Sequence, residues 1–334
     1  MERKWKRIFV VGDVHWSQNS SIVRGMGKRY SVRLENLIES VNWAEASAEA
    51  LGADAVVYLG DFFDRPELNS MEITALREIR WAPLPHRVIV GNHDASDASL
   101  EFNSANALSA AGFDIVSEPR CEDGILYLPY ITESERKPLA EYARERPEMA
   151  FSHNDIRGIR YGAFESKTGF SVGEIAELGA LFVNGHLHNH SEFAENAINL
   201  GNITGQNFSE DAKAYPHLAM LIERGPNGVS HRYFENPHAL NFYKLEYPGD
   251  FPLEMKPNAV VSAKARREDA EPLMEALSRP EVLCYRVSWA VGANESSAEA
   301  TLDMADHIAM FREYALGQLG GDPIAESELS EVLR

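Results

Sequence analysis

Short apolar runs recur along the first two thirds of the chain, each stopped by a polar cluster. Residues 7–11 (R-I-F-V-V), 55–59 (A-V-V-Y-L) and 88–90 are continuous apolar stretches, the pattern of strands buried on both faces. They end at Gly12-Asp13, Gly60-Asp61 and Gly91-Asn92. Between them the spacing changes. Leu34, Leu37, Ile38, Val41 and Ala44 recur with helical period and predict a helix over 33–51, stopped by Gly52. Residues 71–79 read as a second helix, and the polar stretch 17–31 as a loop. This order of strand, polar loop and helix predicts an α/β sheet with its chemistry at the carboxyl ends of the strands.

Further strands are expected at 125–128, 149–152, 181–183, 197–200 and 218–223. The last precedes Gly225-Pro226-Asn227-Gly228, a strong turn signal, and an apolar return over 230–234. That hairpin closes a main domain of residues 1–236. Pro237, Pro248, Pro252 and Pro257 mark 237–258 as a linker. Beyond it, a strand at 259–265, a helix at 268–277 and a strand at 284–291 suggest a small βαβ-like cap. An amphipathic helix over 299–319 makes 259–334 a cap and partner-docking region.

Composition narrows the class. A chain of 334 residues with 44% hydrophobic and 25% charged content buries a full core as an ordinary globular protein. No apolar run approaches the roughly 20 residues that span a bilayer. The basic start is followed by only four apolar residues, 8–11, too few for a secretory h-region. Two cysteines, Cys121 and Cys284, lie far apart, as in a reduced cytoplasmic protein. The net charge of −19 repels nucleic acid at long range, so such a substrate needs local basic patches, bound cations or a partner; simple solubility is the plainer reading of the charge.

Five segments carry the candidate chemistry: Asp13-Val14-His15, Gly60-Asp61-Phe62-Phe63-Asp64, Gly91-Asn92-His93-Asp94, Ser152-His153-Asn154 and Gly185-His186-Leu187-His188. Each follows a predicted strand and supplies oxygen or nitrogen ligands for divalent cations. Residues two apart in an extended segment point the same way, so Asp13 with His15, and His186 with His188, can grip one ion together. A carboxylate such as Asp61 has two oxygens and can bridge two ions. Two cations about 3.5–4 Å apart clamp a phosphoryl group and acidify a shared water. The glycines at 12, 60, 91 and 185 are expected to allow sharp turns before the ligands. A single D-x-H or H-x-H is weak; five in order at strand ends are not. Of the other histidines, His190 and His217 are the ones that could line the site.

These segments resemble the calcineurin-like metallophosphoesterases, whose pattern runs D-x-H, G-D-x-x-D, G-N-H-[DE], a lone His, then G-H-x-H. The match covers about residues 8–235. The resemblance implies an α/β/β/α sandwich of two sheets, an α/β fold class with a small α+β cap. It implies that Asp13, His15, Asp61 and His188 hold one metal, and Asp61, Asn92, His153 and His186 the other. It makes His93 the acid that serves the leaving oxygen, with Asp64 as its orienting partner. Mn(II) or Fe(II) suits this mixed donor set better than Mg(II), and Zn(II) remains open. Arg65 stands where the protein-phosphatase branch has a phosphate-binding arginine, but Pro66 and Trp16 depart from that branch. A salt bridge at a helix start is the better reading of Arg65.

Within the family, the chain looks most like SbcD-type DNA nuclease subunits, phage-type members especially. The resemblance rests on 60–64, on 91–94, on the loop 199–210 (N-L-G-N-I-T-G-Q-N-F-S-E) and on the cap. It implies DNA as substrate and an SbcC-type, SMC-like ATPase as partner. Basic clusters at Arg24, Lys28, Arg29 and Arg33, at Arg157, Arg160 and Lys167, and at Lys264, Arg266 and Arg267 could meet a DNA backbone, or be solvated charged faces. A small-molecule phosphodiesterase on the same fold is the alternative enzyme. A binding module with a vestigial site is a third reading, which the intact ligand set argues against. Homodimerisation, cleavage polarity and the native metal stay open.

Overall fold

The computed structural model describes residues 5–161, 164–226 and 228–290. The expected long helix over 299–319 therefore lies outside the described residues. Met1–Ser288 form one compact unit.

The chain opens with β1 (Arg7–Val11), α1 (Val32–Ala50), β2 (Ala55–Tyr58), α2 (Ser70–Ala75), β3 (His86–Ile89) and β4 (Asp114–Val116). β5 (Arg120–Glu122), β6 (Ile125–Leu128), α3 (Leu139–Tyr142), β7 (Met149–Ser152), α4 (Val172–Leu178) and β8 (Leu181–Asn184) follow. Then come β9 (Ser191–Ala194), β10 (Ala197–Asn199), β11 (Leu218–Gly225) and β12 (Gly228–Glu235). These strands form two six-stranded sheets, in the orders β12-β11-β1-β2-β3-β4 and β9-β10-β8-β7-β6-β5. In the first, β1 to β4 run parallel, β11 pairs antiparallel with β1, and β12 antiparallel with β11. In the second, β6, β7, β8 and β10 run parallel.

The inner faces share one core. Ile8, Val10, Val57 and Leu59 of the first sheet pack with Tyr127, Phe151, Val183 and Ile198 of the second. The outer face of the first sheet, with Phe9, Val56 and Tyr58, is covered by Leu34, Leu37 and Val41 of α1. The outer face of the second, with Leu126, Ala150 and Phe182, is covered by Leu139 of α3 and Ile175 of α4. The result is the expected α/β/β/α sandwich. It explains why β1 and β2 show no alternation: both faces are buried.

α1 begins where its cap chemistry allows. Ser31 Oγ accepts from the Leu34 backbone N–H, and the helix ends before Gly52, at φ +65°. The second expected helix is shorter than read. Asn69 and Glu72 form a capping box at its start, and the last turn tightens into a 3-10 helix over Leu76–Glu78. Arg65 pairs with Glu72 of that first turn at 2.6 Å, the helix-start ion pair expected of it.

The stretch 237–258, read as a linker, holds a strand. β13 (Asn241–Glu246) runs parallel to β14 (Ala259–Ala265), residue for residue, and α5 (Ala270–Leu277) and β15 (Val282–Trp289) complete a three-stranded sheet in the order β13-β14-β15. The prolines drew attention from an N-F-Y-K-L-E run that alternates in burial only at its end. The Ala212 N–H donates to the Phe242 carbonyl, joining this sheet to the segment after β10. Among the described residues no helix is long and apolar enough to cross a membrane. Cys121 and Cys284 are unbridged.

Glu45 of α1 is fully buried and ties the helix to the first sheet. Its carboxylate accepts from Tyr58 Oη (2.5 Å), the Ala82 N–H (3.0 Å) and His86 Nε2 (2.8 Å). Glu45→Ala would strand three buried polar groups, so it should destabilise the fold by about 3 kcal/mol or more. A urea-unfolding midpoint, with and without the substitution, measures this.

Candidate metal centre

The parallel strands of both sheets end at one place, and their following loops carry the polar cluster. Asp13 and His15 follow β1, Asp61 follows β2, Asn92 follows β3, His153 follows β7, and His186 and His188 follow β8. Three of these residues hold left-handed backbones: His15 (φ 50°), Asp61 (φ 44°) and His186 (φ 72°). Such conformations are costly for residues with a Cβ and concentrate at functional sites. Of the four glycines expected as turn-makers, only Gly60 has a positive φ, at 114°. The other three serve by leaving room. A Cβ on Gly91, for example, would lie 2.1 Å from Asp61 Oδ1.

All seven expected ligands come together. Asp13, His15 and His188 bring ligand atoms within 4.8 Å of one another, and so do Asp61, His153 and His186. The groups touch: His15 Nε2 lies 3.8 Å from Asp61 Oδ2, and His153 Nδ1 lies 3.8 Å from Asp13 Oδ1. Asn92 Oδ1 is 3.1 Å from His153 Nε2. His15 Nε2 faces His188 Nε2 at 3.1 Å, a close approach of two ring nitrogens that suits a shared cation.

The imidazoles are oriented from behind. His153 Nδ1 donates to the Leu59 carbonyl at 3.0 Å, tying a ligand of one sheet to a strand end of the other. His188 Nδ1 donates to Glu210 Oε1 at 3.0 Å, and His186 Nε2 to Asp155 Oδ1 at 3.1 Å. His15 Nδ1 lies 3.3 Å from Asp64 Oδ1, a weaker approach without hydrogen-bond alignment. The His153, His186 and His188 rings thus engage an acceptor with one nitrogen and keep the other for a ligand role, the arrangement that fixes metal-binding histidines. Asp13 Oδ2 and His186 Nδ1 are buried with no protein partner. Unpartnered buried acceptors, imidazole nitrogens and carboxylates together fit divalent cations.

Two expectations change in detail. His93 Nδ1 donates to the backbone carbonyl of Asp64 (3.0 Å), not to its carboxylate, which turns to His15 instead. His217 is buried with Nδ1 on the Asn202 carbonyl, and the His190 ring packs edge-on against Tyr233; neither belongs to the ligand groups. His93 itself is exposed, 4.8 Å ring to ring from His15, and its backbone N–H donates to Asp61 Oδ1 at 2.8 Å.

Sequence reasoning missed three supporting carboxylates, Asp155 behind His186, Glu210 and Asp94. Glu210 is fully buried and also accepts from Asn202 Nδ2 and the Gln206 N–H. Asp94 accepts from the N–H groups of Phe63 and Gly91, clamping the Asp61 and Asn92 loops together. The signals were present, in the end of the 199–210 loop and in G-N-H-D, but a supporting carboxylate has no spacing of its own.

Burial and charge set the protonation. Burial raises the Asp61 carboxyl, but His153, His15 and His93 around it overcome this and hold it well below the usual carboxylate range. Burial lowers His153, yet Asp61 and Asp13 outweigh it and push the imidazole up to about 9. Burial, then the nearby Asp61 charge, push Asp94 up to about 7.

Two predictions follow from this electrostatics. Without metal, His153 is protonated at neutral pH, and a cation must displace that proton. Adding Mn(II) at pH 7 in weak buffer should release about one proton per protein from this residue, and affinity should climb as pH rises toward 9, read by pH-stat titration. Because the folded-state pKa lies above the unfolded value of about 6.5, the metal-free fold keeps the His153 contribution below that pH. It should lose it as pH rises through about 9. Separately, Glu210→Ala should weaken metal binding about 10–100-fold while the other ligands stay in place, measured by chelator competition.

No curated protein sequence matches the chain. Among solved structures, TT1561 of Thermus thermophilus is 13% identical, covering 68% of this chain and 98% of its own at a TM-score of 0.39. A dimetal phosphatase from Danio rerio is 12% identical, covering 70% of this chain and 100% of its own at a TM-score of 0.40. The calcineurin-like phosphoesterase family matches residues 6–239. With that match spanning the sandwich and every ligand loop, the chain belongs to the calcineurin-like phosphoesterases, a family of metal-dependent phosphoester hydrolases.

Proposed function

We propose that the chain is a two-metal phosphodiesterase that cuts DNA, an SbcD-type nuclease subunit acting with an SMC-like ATPase of SbcC type in DNA end processing. The observation that carries the two-metal reading is Asp61, whose side chain reaches His15 of one ligand group and His153 of the other at 3.8 and 3.2 Å. Two divalent cations, Mn(II) in this proposal, supply an acidified water and neutralise phosphoryl charge. The protein's own residues do the rest. Asp13, His15 and His188, with Asp61, would hold one cation, and Asn92, His153 and His186, again with Asp61, the other. His93 stands exposed at the mouth with Nδ1 engaged, leaving Nε2 to pass a proton to the leaving oxygen.

Support for DNA comes from the motif resemblance and from the loop that follows Asp94. The loop 95–103 has both ends pinned near Asp94, through Ser96 N–H to the Phe102 carbonyl and Ser104 N–H to the Asp94 carbonyl. It presents Phe102 with 66% of its surface exposed, a face on which an unpaired base can stack. One observation favours the second reading, a small phosphodiester substrate. Arg29, Arg157, Lys264 and Arg266 of the basic clusters are paired with Glu78, Glu133, Glu246 and Glu268.

Incubating Mn(II)-loaded protein with 3′-labelled duplex and single strands, beside bis(p-nitrophenyl) phosphate and cyclic nucleotides, separates the two. Hydrolysis of small esters with no shortening of either DNA would defeat the nuclease reading. His93→Ala should keep both metals and cut turnover about 10²–10⁴-fold, while Asp61→Asn should lower occupancy of both sites. Metal analysis beside steady-state rates distinguishes the two effects, and an unchanged rate in His93→Ala removes it as the acid.

A further inference from the structure

Arg33, in the first turn of α1, is 4% exposed. Its Nη1 donates to the Gly205 carbonyl at 2.8 Å, and among the described residues it makes no ion pair. The carboxylates near enough to act on it are Glu210 and Asp64. Both are engaged elsewhere: Glu210 with His188, Asn202, Asn207 and the Gln206 N–H, and Asp64 with His15. Burial lowers the guanidinium only to about 10, so it stays charged at neutral pH. A buried cation without an anion is expensive, and a fold retains one where an anion visits.

The place where the anion would sit is open. Arg33 lines a polar pocket of about 180 Å³ together with His15, Asp64, Ser17, Asn19 and Gln206. Its lining includes a residue of the ligand cluster, so it adjoins the metal centre. Gln206 carries a second unmet donor, since its Nε2 is buried with no partner. A guanidinium and an amide facing one pocket, flanked by hydroxyls, make a phosphate-binding set. The surroundings otherwise repel phosphate, for the chain carries a net charge of −19.

We propose that Arg33 and Gln206 form an anion subsite beside the metal centre that binds a second phosphate of the substrate, the one neighbouring the phosphodiester that is cut. The inference rests on the phosphodiesterase reading and deepens it. It makes the enzyme prefer a strand, with phosphates in series, over an isolated diester.

The test compares the dinucleotide pTpTp, which has flanking phosphates on both sides, with TpT, which has none. Mn(II)-loaded wild-type protein should prefer pTpTp in kcat/KM. Arg33→Met should shrink that preference about ten-fold or more, through KM, as for a lost charge-assisted hydrogen bond. Arg33→Lys, which keeps the charge without the planar fork, should fall between. Gln206→Leu, at a half-buried position away from the core, should shrink it about three-fold. A wild type with no preference overturns the subsite, and so does an equal loss on both dinucleotides, the mark of a packing role. A second readout needs no turnover: calorimetric binding of inorganic phosphate to metal-free protein should weaken about ten-fold in Arg33→Met. Unchanged phosphate binding also overturns the proposal. If wild-type protein cuts neither dinucleotide, nor DNA strands or small diesters, the phosphodiesterase reading fails, and phosphate binding alone decides whether the subsite exists.

Discussion

Three carboxylates, Asp13, Asp61 and Asp94, are buried beside four imidazoles where two sheets end, and each must find a partner that survives desolvation. The solution depends on the sheets meeting there. The Leu59 carbonyl at the end of β2 holds His153 from the opposite sheet, and Asp13 Oδ1 receives the His186 N–H from that same sheet. Each sheet therefore completes the other's ligands. The shared apolar core between them is what keeps those cross-sheet bonds in register.

That reciprocity also explains the protonation pattern. An imidazole between two buried carboxylates gains a proton more easily, and a carboxylate among imidazoles loses one more easily. His153 and Asp61 shift in these opposite senses because they face each other at 3.2 Å. Asp94 lies just outside the pair, and its burial, then Asp61 as a like charge, shift it the other way. The proton and the cation compete for the same lone pairs, so the metal-free centre is held together by the charge that a metal would replace.

Much of this was legible in the order of residues. Strands buried on both faces announce themselves as unbroken apolar runs, and α1 by its spacing and the Gly52 stop. The ligands were legible because chemistry at a strand end leaves D-x-H and H-x-H patterns. What stayed hidden has a common cause. Glu210 and Asp94 act through contacts made across the fold, with the His188 ring and with the Phe63 N–H, at separations that no local period encodes. β13 was hidden by the prolines on either side of it, at 237 and 248. Asp64 does meet the His93 ring, but through its backbone carbonyl, which a sequence cannot tell from the carboxylate of the same residue.

The left-handed backbones at His15, Asp61 and His186 bear on how this centre can be dissected. Alanine tolerates that conformation poorly, at about 1–2 kcal/mol, whereas asparagine visits it with less difficulty. Truncation to alanine at these three positions would disturb the chain path and the ligand at once, and the two losses would be indistinguishable. Asparagine removes or weakens the donor while leaving the turn intact. A scan built on asparagine here, and on alanine at the ligands outside the left-handed region, would report coordination separately from loop geometry.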